Sequence, residues 1–223
     1  KTYVVASSKN WFKKHKKSSE YKSLNITEIY TKDELNIVYL SKLQPEYIFF
    51  PHWSWIVTKE VHKEFNCIVF HAAPLPFGRG GSPIQNLILE GFKKTPVCAI
   101  KMTDKLDSGP IYSSSDVSLD GTLNSIFSRI NNVINDLIIE IIEKNPIPIT
   151  QSGKPHVFKR LTSVDNEIPT GLKLEEIYDR IRMVDHADYP SAFIVYGDVK
   201  IEFNNAHLAE DSMEVVCLIK KLK

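Results

Sequence analysis

The chain has 223 residues, 43% hydrophobic and 25% charged, which suits one large globular domain or one domain with an appendage. Its 28 Lys and Arg against 27 Asp and Glu leave a formal charge of +1, too balanced to draw in nucleic acid through a global field. No apolar run approaches the roughly 20 residues that span a bilayer, and three scattered cysteines without CxxC spacing offer neither a disulfide framework nor a zinc site.

The opening KTYVVASSKNWF turns polar too quickly for a secretory signal, and Cys67, Cys98 and Cys217 read as reduced packing residues. The expected location is therefore the cytoplasm. The run YVVAS (3–7) predicts a first buried strand, and KKHKK (13–17) a solvated surface turn. YIFF (47–50), CIVF (67–70) and VCAIKM (97–102) predict further strands buried on both faces. The clearest helix is 122–145, where Leu123, Ile126, Ile130, Val133, Ile134, Leu137, Ile138, Ile141 and Ile142 keep three-to-four spacing. Gly121 precedes it and Pro146 stops it. Strands alternating with helices imply an α/β fold with a mostly parallel, Rossmann-like sheet.

After NPIPITQSGKPH the character changes. A helix over 172–185 is followed by SAFIVYG and VKIEFNNAHL, which read as a hairpin around Gly197-Asp198. The expected division is a catalytic domain over 1–155 and a small C-terminal α+β domain over 156–223.

Two loops carry the chemistry. CIVF runs into His71, placing an imidazole where a parallel sheet of this class binds ligands, at the C-terminal edge. Pro74, Pro76, Gly78, Gly80 and Gly81 then constrain the chain, and Ser82-Pro83 reads as an N-cap opening a helix to about Gly91. That helix start, with Arg79 nearby, suits an anion or a polarised carbonyl. It is not a P-loop or a dinucleotide fingerprint. The second loop, MTDKLDSGPIY (102–112), follows the strand VCAIKM. An Asp in such a turn is usually structural. If the two strands are neighbours, both loops open on the same edge and Asp107 can orient His71.

These residues carry a resemblance. H-x-x-x-L-P-x-x-R-G-x-x-P-I-Q is spelled by His71, Leu75, Pro76, Arg79, Gly80, Pro83, Ile84 and Gln85, and LDSGPIY follows with Asp107. The pattern resembles the formyltransferases that use 10-formyltetrahydrofolate. The blocks IFFPHWSWIV, FHAAPLPFGRGGSPIQNLI, FKR and YDRIRMVDHADYPSAF resemble sugar N-formyltransferases acting on the 4-amino group of the nucleotide-linked precursor of pseudaminic acid.

The resemblance implies His71 and Asp107 as the catalytic pair. It places Trp55, Ile56, Val57, Leu75, Pro76, Thr103, Asp104, Lys105, Leu106 and Asp107 against the formyl-folate, with Trp53 and Trp55 packing around that pocket. It implies no metal, no nucleic-acid or membrane partner, a nucleotide-linked amino sugar as substrate and a possible homodimer. One position departs. The family's Asn-x-His has Val69 where the asparagine stands, so a donor to the formyl oxygen must come from Asn66, Ser82, Asn86, Thr103 or a loop N–H. Methionyl-tRNA and glycinamide ribonucleotide are alternative acceptors, and a non-catalytic folate or nucleotide binder is the alternative from another class. Arg182, Asp185, Tyr189 and Pro190 fit either a sugar-nucleotide pocket or a structural lock, and Phe158-Lys159-Arg160 either a diphosphate contact or exposed charge.

Overall fold

A computed structural model describes residues 1–222. Its strands are β1 (Tyr3–Ala6), β2 (Ile26–Ile29), β3 (Tyr47–Phe50), β4 (Cys67–His71), β5 (Arg79–Gly80), β6 (Lys94–Lys101), β7 (Ile111–Ser118), β8 (Val157–Phe158), β9 (Ala192–Tyr196), β10 (Val199–Leu208) and β11 (Met213–Lys221). The helices are α1 (Asn10–Lys13), α2 (Ser19–Ser23), α3 (Ile37–Leu43), α4 (Lys59–Glu64), α5 (Pro83–Leu89), α6 (Leu123–Lys144) and α7 (Leu174–Arg182). Among the described residues no helix is long and apolar enough to cross a membrane.

The main sheet has the order β2-β1-β3-β4-β6-β7. β1, β3 and β4 pair in parallel, as their apolar runs predict, and β2, which no apolar run announces, pairs parallel with β1 at the edge. β6 breaks that pattern by pairing antiparallel with β4, with His71 opposite Cys98 and Ile68 opposite Lys101. Alternation along the strands puts Val4, Ala6, Ile48, Phe50, Cys67 and Val69 on one face. There all but Val69 form a buried cluster with Leu40 of α3 and Val61 of α4, and the half-buried Val69 packs against it. On the other face the rings of Phe49 and Phe70 stack, 6.3 Å between centroids. Burying side chains of this size is worth roughly 1.5–3 kcal/mol each. Along α6, Leu123, Ile126, Ile130, Ile134, Leu137, Ile138 and Ile141 are all buried, the stripe that their spacing predicts.

The chain divides into two compact units. One comprises Lys1–Arg79, Pro96–Val117 and Ser128–His156; the other comprises Gly80–Thr95, Ser118–Phe127 and the chain from Val157 onward. The second unit holds the antiparallel sheet β11-β10-β9, with α7 packed on β10. The predicted hairpin turns at Gly197, whose φ of 58° favours glycine.

In this unit Arg182 is buried. Its Nη1 donates to the carbonyls of Leu119 and Gly121, and its Nε to Asp179. Asp185 accepts from the Asn205 backbone N–H, and the Pro190 carbonyl accepts from Asn166. Lys159 pairs with Asp165 at 2.8 Å. These contacts fit the structural-lock reading of the C-terminal block and commit Lys159 to an ion pair. In the KKHKK tract, Lys17 turns inward: its ammonium lies 3.9 Å over the Phe12 ring and donates to the Phe12 carbonyl.

Candidate active site

Cys67, Val69 and His71 share one face of β4, so His71 ends the row that begins with Cys67 and Val69. The imidazole is only 8% exposed. Its Nε2 lies 2.7 Å from the Gly78 carbonyl oxygen. A carbonyl oxygen only accepts, so Nε2 carries the proton and donates to it. Nδ1 is then the nitrogen left to gain or lose a proton. It stands 3.6 Å from Oδ2 of Asp107, whose side chain is largely buried.

The sheet brings this pair together by a different route from the one the sequence predicts. Because β6 is antiparallel to β4, Lys101 lies opposite Ile68, and the Met102 N–H donates to the Cys67 carbonyl. The second loop therefore leaves the sheet at the end of β4 away from His71. It returns through a sharp turn in which Asp107 takes the left-handed φ of 49°. Aspartate tolerates that region better than most side chains. Gly109 follows, and a Cβ there would lie 1.7 Å from the Lys101 carbonyl oxygen, so no other residue fits.

The rest of this loop faces outward. Thr103, Asp104 and Lys105 are exposed, and Leu106 is 72% exposed. The Thr103 hydroxyl donates to the Lys105 carbonyl, and the Asp104 carboxylate sits near two α4 groups, Lys59 Nζ at 3.7 Å and His62 Nε2 at 3.6 Å. After β3, Trp55 and Ile56 are exposed, while Trp53 and Val57 pack, like Val69 and Met102, against the buried cluster. Trp53 and Trp55 meet edge to face at 4.8 Å. The Trp53 indole N–H is buried without an acceptor among the described residues. After β4, Leu75 and Pro76 are joined by a cis peptide bond, and Pro76 is buried.

Two expectations for the loop after His71 need correction. Ser82 does not cap α5: its backbone is left-handed, its side chain makes no cap bond, and its hydroxyl instead accepts from the Leu161 N–H. α5 has only seven residues, and the Arg79 guanidinium is held by Gln151 Oε1, from Nε at 3.1 Å and Nη2 at 2.7 Å.

Three of the side chains expected to replace the asparagine at Val69 donate elsewhere. Asn66 donates to the Glu46 carbonyl, Thr103 to Lys105, and Asn86 to the carbonyls of Gly81, Ser82 and Lys159. Gln151 escapes sequence reasoning altogether, because no spacing ties it to His71. The same holds for Lys59 and His62 beside Asp104. Among the described residues no cluster of three or more His, Cys, Asp or Glu side chains is arranged for a metal ion.

Residues 4–142 match the formyl transferase family, and residues 163–220 match the C-terminal domain of methionyl-tRNA formyltransferase. The chain belongs to the formyltransferase family. It is 32% identical over 143 residues to a methionyl-tRNA formyltransferase of Sulfurimonas denitrificans, covering 61% of this chain and 47% of that protein. The chain thus spans about half the length of that curated relative. Among solved structures, the methionyl-tRNA formyltransferase from Clostridium thermocellum is 41% identical, with a TM-score of 0.91 over 99% of both chains. A 4-N formyltransferase from Francisella tularensis, at 14% identity and a TM-score of 0.67 over 100% of this chain and 99% of that one, shares the fold.

Proposed function

We propose that this formyltransferase moves a formyl group from 10-formyltetrahydrofolate to a primary amine, and that methionyl-tRNA is the acceptor to test first. The observation that carries the reading is the His71–Asp107 pair, with Nε2 fixed on Gly78 and Nδ1 turned to the carboxylate. In the proposed division of labour, residues 1–155 carry folate binding and catalysis, and residues 156–223 form the smaller C-terminal domain.

The surroundings fit a flat heteroaromatic donor. Trp55, Ile56 and Leu106 present apolar surface, and Trp53, Val57, Val69 and Met102 pack against the same buried cluster. The buried Trp53 N–H without an acceptor is the kind of group a polar ring edge would satisfy. When bound, 10-formyltetrahydrofolate supplies the formyl group, and Trp55–Val57, Leu75–Pro76 and Thr103–Asp107 would hold it.

Acyl transfer between nitrogens makes two demands of the protein. A proton must leave the attacking amine, and charge developing on the acyl oxygen must be offset. His71 Nδ1 takes the proton, since Nε2 is already protonated, and the imidazolium that results faces Asp107 and returns the proton to the folate nitrogen as its bond to the formyl carbon breaks. Imidazole suits the task because its charge changes near neutral pH. With valine at position 69, the acyl oxygen relies on loop N–H groups and on the protonated imidazole.

The named relatives favour methionyl-tRNA over the amino sugar that the shorter sequence blocks resemble. The sugar reading keeps one specific observation in its favour. A formal charge of +1 gives this chain no global attraction for a phosphate backbone. A UDP-linked 4-amino-4,6-dideoxy-N-acetylhexosamine is therefore the second acceptor, in surface-glycan biosynthesis. Either reaction is placed in the cytoplasm.

The test offers both acceptors separately with 10-formyltetrahydrofolate and reads the product by mass spectrometry. Formyl-methionyl-tRNA supports the first acceptor, and a sugar heavier by one formyl group supports the second. Transfer to neither, by a protein that binds the folate, would refute both assignments.

A further inference from the structure

Gln151 lies in the proline-rich segment NPIPITQSGKPH, outside both loops that carry His71 and Asp107. Its side-chain amide is fully used. The Nε2 group donates to the carbonyl oxygens of Asp107, at 2.9 Å, and Gly109, at 2.8 Å. The Oε1 atom accepts both Nε and Nη2 of Arg79. One amide thus bonds two loops at once: the loop that carries Asp107, and the loop that begins at His71.

The bonds close a ring. His71 Nε2 donates to the Gly78 carbonyl, and Gly78 is joined by one peptide bond to Arg79. The backbone N–H groups of Gly78 and Arg79 both donate to the His156 carbonyl, which pins that corner from outside. The Arg79 guanidinium reaches Gln151, Gln151 holds the Asp107 carbonyl, and the Asp107 carboxylate returns to His71 Nδ1 at 3.6 Å. Asp107 needs such support. Its left-handed backbone is uncommon for a residue with a side chain, and the loop reaches it from the far end of β4.

The side-chain chemistry limits what else can stand at residue 151. Glutamate keeps the acceptor for Arg79 but loses both donors, and it turns a carboxylate toward two carbonyl oxygens. Lysine keeps donors and loses the acceptor. Asparagine is one methylene short of spanning the same two loops. Arg79 is matched in the same way, since its fork presents two N–H groups to a single oxygen.

We propose that Gln151, anchored by Arg79, is a positioning residue for the formyl transfer proposed above: it fixes Asp107 relative to His71 without touching the reacting atoms. The inference rests on that reading for its kinetic consequence, but the geometric claim stands in the ligand-free protein. Displacing a catalytic group by about 1 Å can cost up to about a hundredfold in rate.

The test is a double-mutant cycle with a ligand-free control. Gln151→Ala should lower kcat by about tenfold or more in the parent but by less than about twofold in the Asp107→Asn background, because the residue acts through Asp107. Asparagine is chosen at position 107 because it tolerates the same left-handed backbone. Arg79→Lys should show the same pattern with a smaller loss.

Without ligand, hydrogen–deuterium exchange of the segment 102–110 should quicken in Gln151→Ala, with thermal melting little changed. Should Gln151→Ala fail to fold, Gln151→Glu carries the cycle, with the same expectation. An equal loss in both backgrounds, or unchanged kcat with unchanged exchange, overturns the proposal. A parent that transfers formyl to neither acceptor defeats the functional reading instead. Exchange over 102–110 still decides whether Gln151 holds the loop.

Discussion

His71 has two ring nitrogens in different surroundings, and the difference assigns the proton. Nε2 is committed to the Gly78 carbonyl, so only Nδ1 is open to exchange, and it faces Asp107. His71→Ala is expected to lower kcat by about 10²–10⁴, the usual contribution of a positioned acid–base group, with folate affinity kept. Steady-state kinetics with a separate binding titration check this. Gly109→Ala is a second residue-scale prediction. Its Cβ would enter the Lys101 carbonyl, so the loop must shift and carry Asp107 with it. Activity should fall by about tenfold or more, and exchange over 102–110 should rise. The His71 and Asp107 identities were legible from their motif. The ring of bonds around them was not, because hydrogen bonds from a segment as distant as Gln151 follow from folding and leave no local pattern.

At the scale of elements, periodicity read well where burial was one-sided or complete. The helix expected over 122–145 is α6, Leu123–Lys144, and the run YIFF is β3 without change. Removing bulk from the middle of the α6 stripe, as in Ile138→Ala, should cost about 2–5 kcal/mol in urea unfolding, since Ile138 is fully buried. Strands with polar or exposed faces were harder to see. β2 is a four-residue edge strand, ITEI; β7 carries Ser and Asp on exposed positions; β11 is largely exposed. None shows the buried apolar run that betrays a central strand. The direction of β6 was equally hidden. Its apolar residues fit a parallel or an antiparallel neighbour, so the expectation that both loops share one edge failed while the pairing of His71 with Asp107 emerged through the loop's return path. The Ser82 cap failed for a related reason: tertiary contact with Leu161 outweighed the local preference.

For the whole molecule, the pH dependence of stability has a defined sign. Burial holds the His52 imidazole down at about 4, against the opposing hydrogen bond with Asn131. An unfolded histidine takes up its proton near pH 6.5, so between about 6.5 and about 4 the unfolded chain binds more protons than the folded one. Stability should therefore fall as pH drops through that window. His52→Asn, which tolerates the left-handed φ of 52°, should flatten this part of a melting-temperature profile. Asp165 acts in a lower window. The Lys159 bond, then the Thr162 cap bonds, hold its carboxyl down at about 2, and that support is lost as pH falls from roughly 4 toward 2.

Whether His71 moves the proton in a formyl transfer is decided by one single-turnover experiment. Formyl-labelled 10-formyltetrahydrofolate and the accepted amine would be mixed with the parent protein and with His71→Ala, while tryptophan fluorescence reports folate binding in the same samples. Labelled product is expected from the parent, and binding without product from the variant, on the timescale of the parent's turnover. Equal transfer rates in the two proteins would contradict that role for His71.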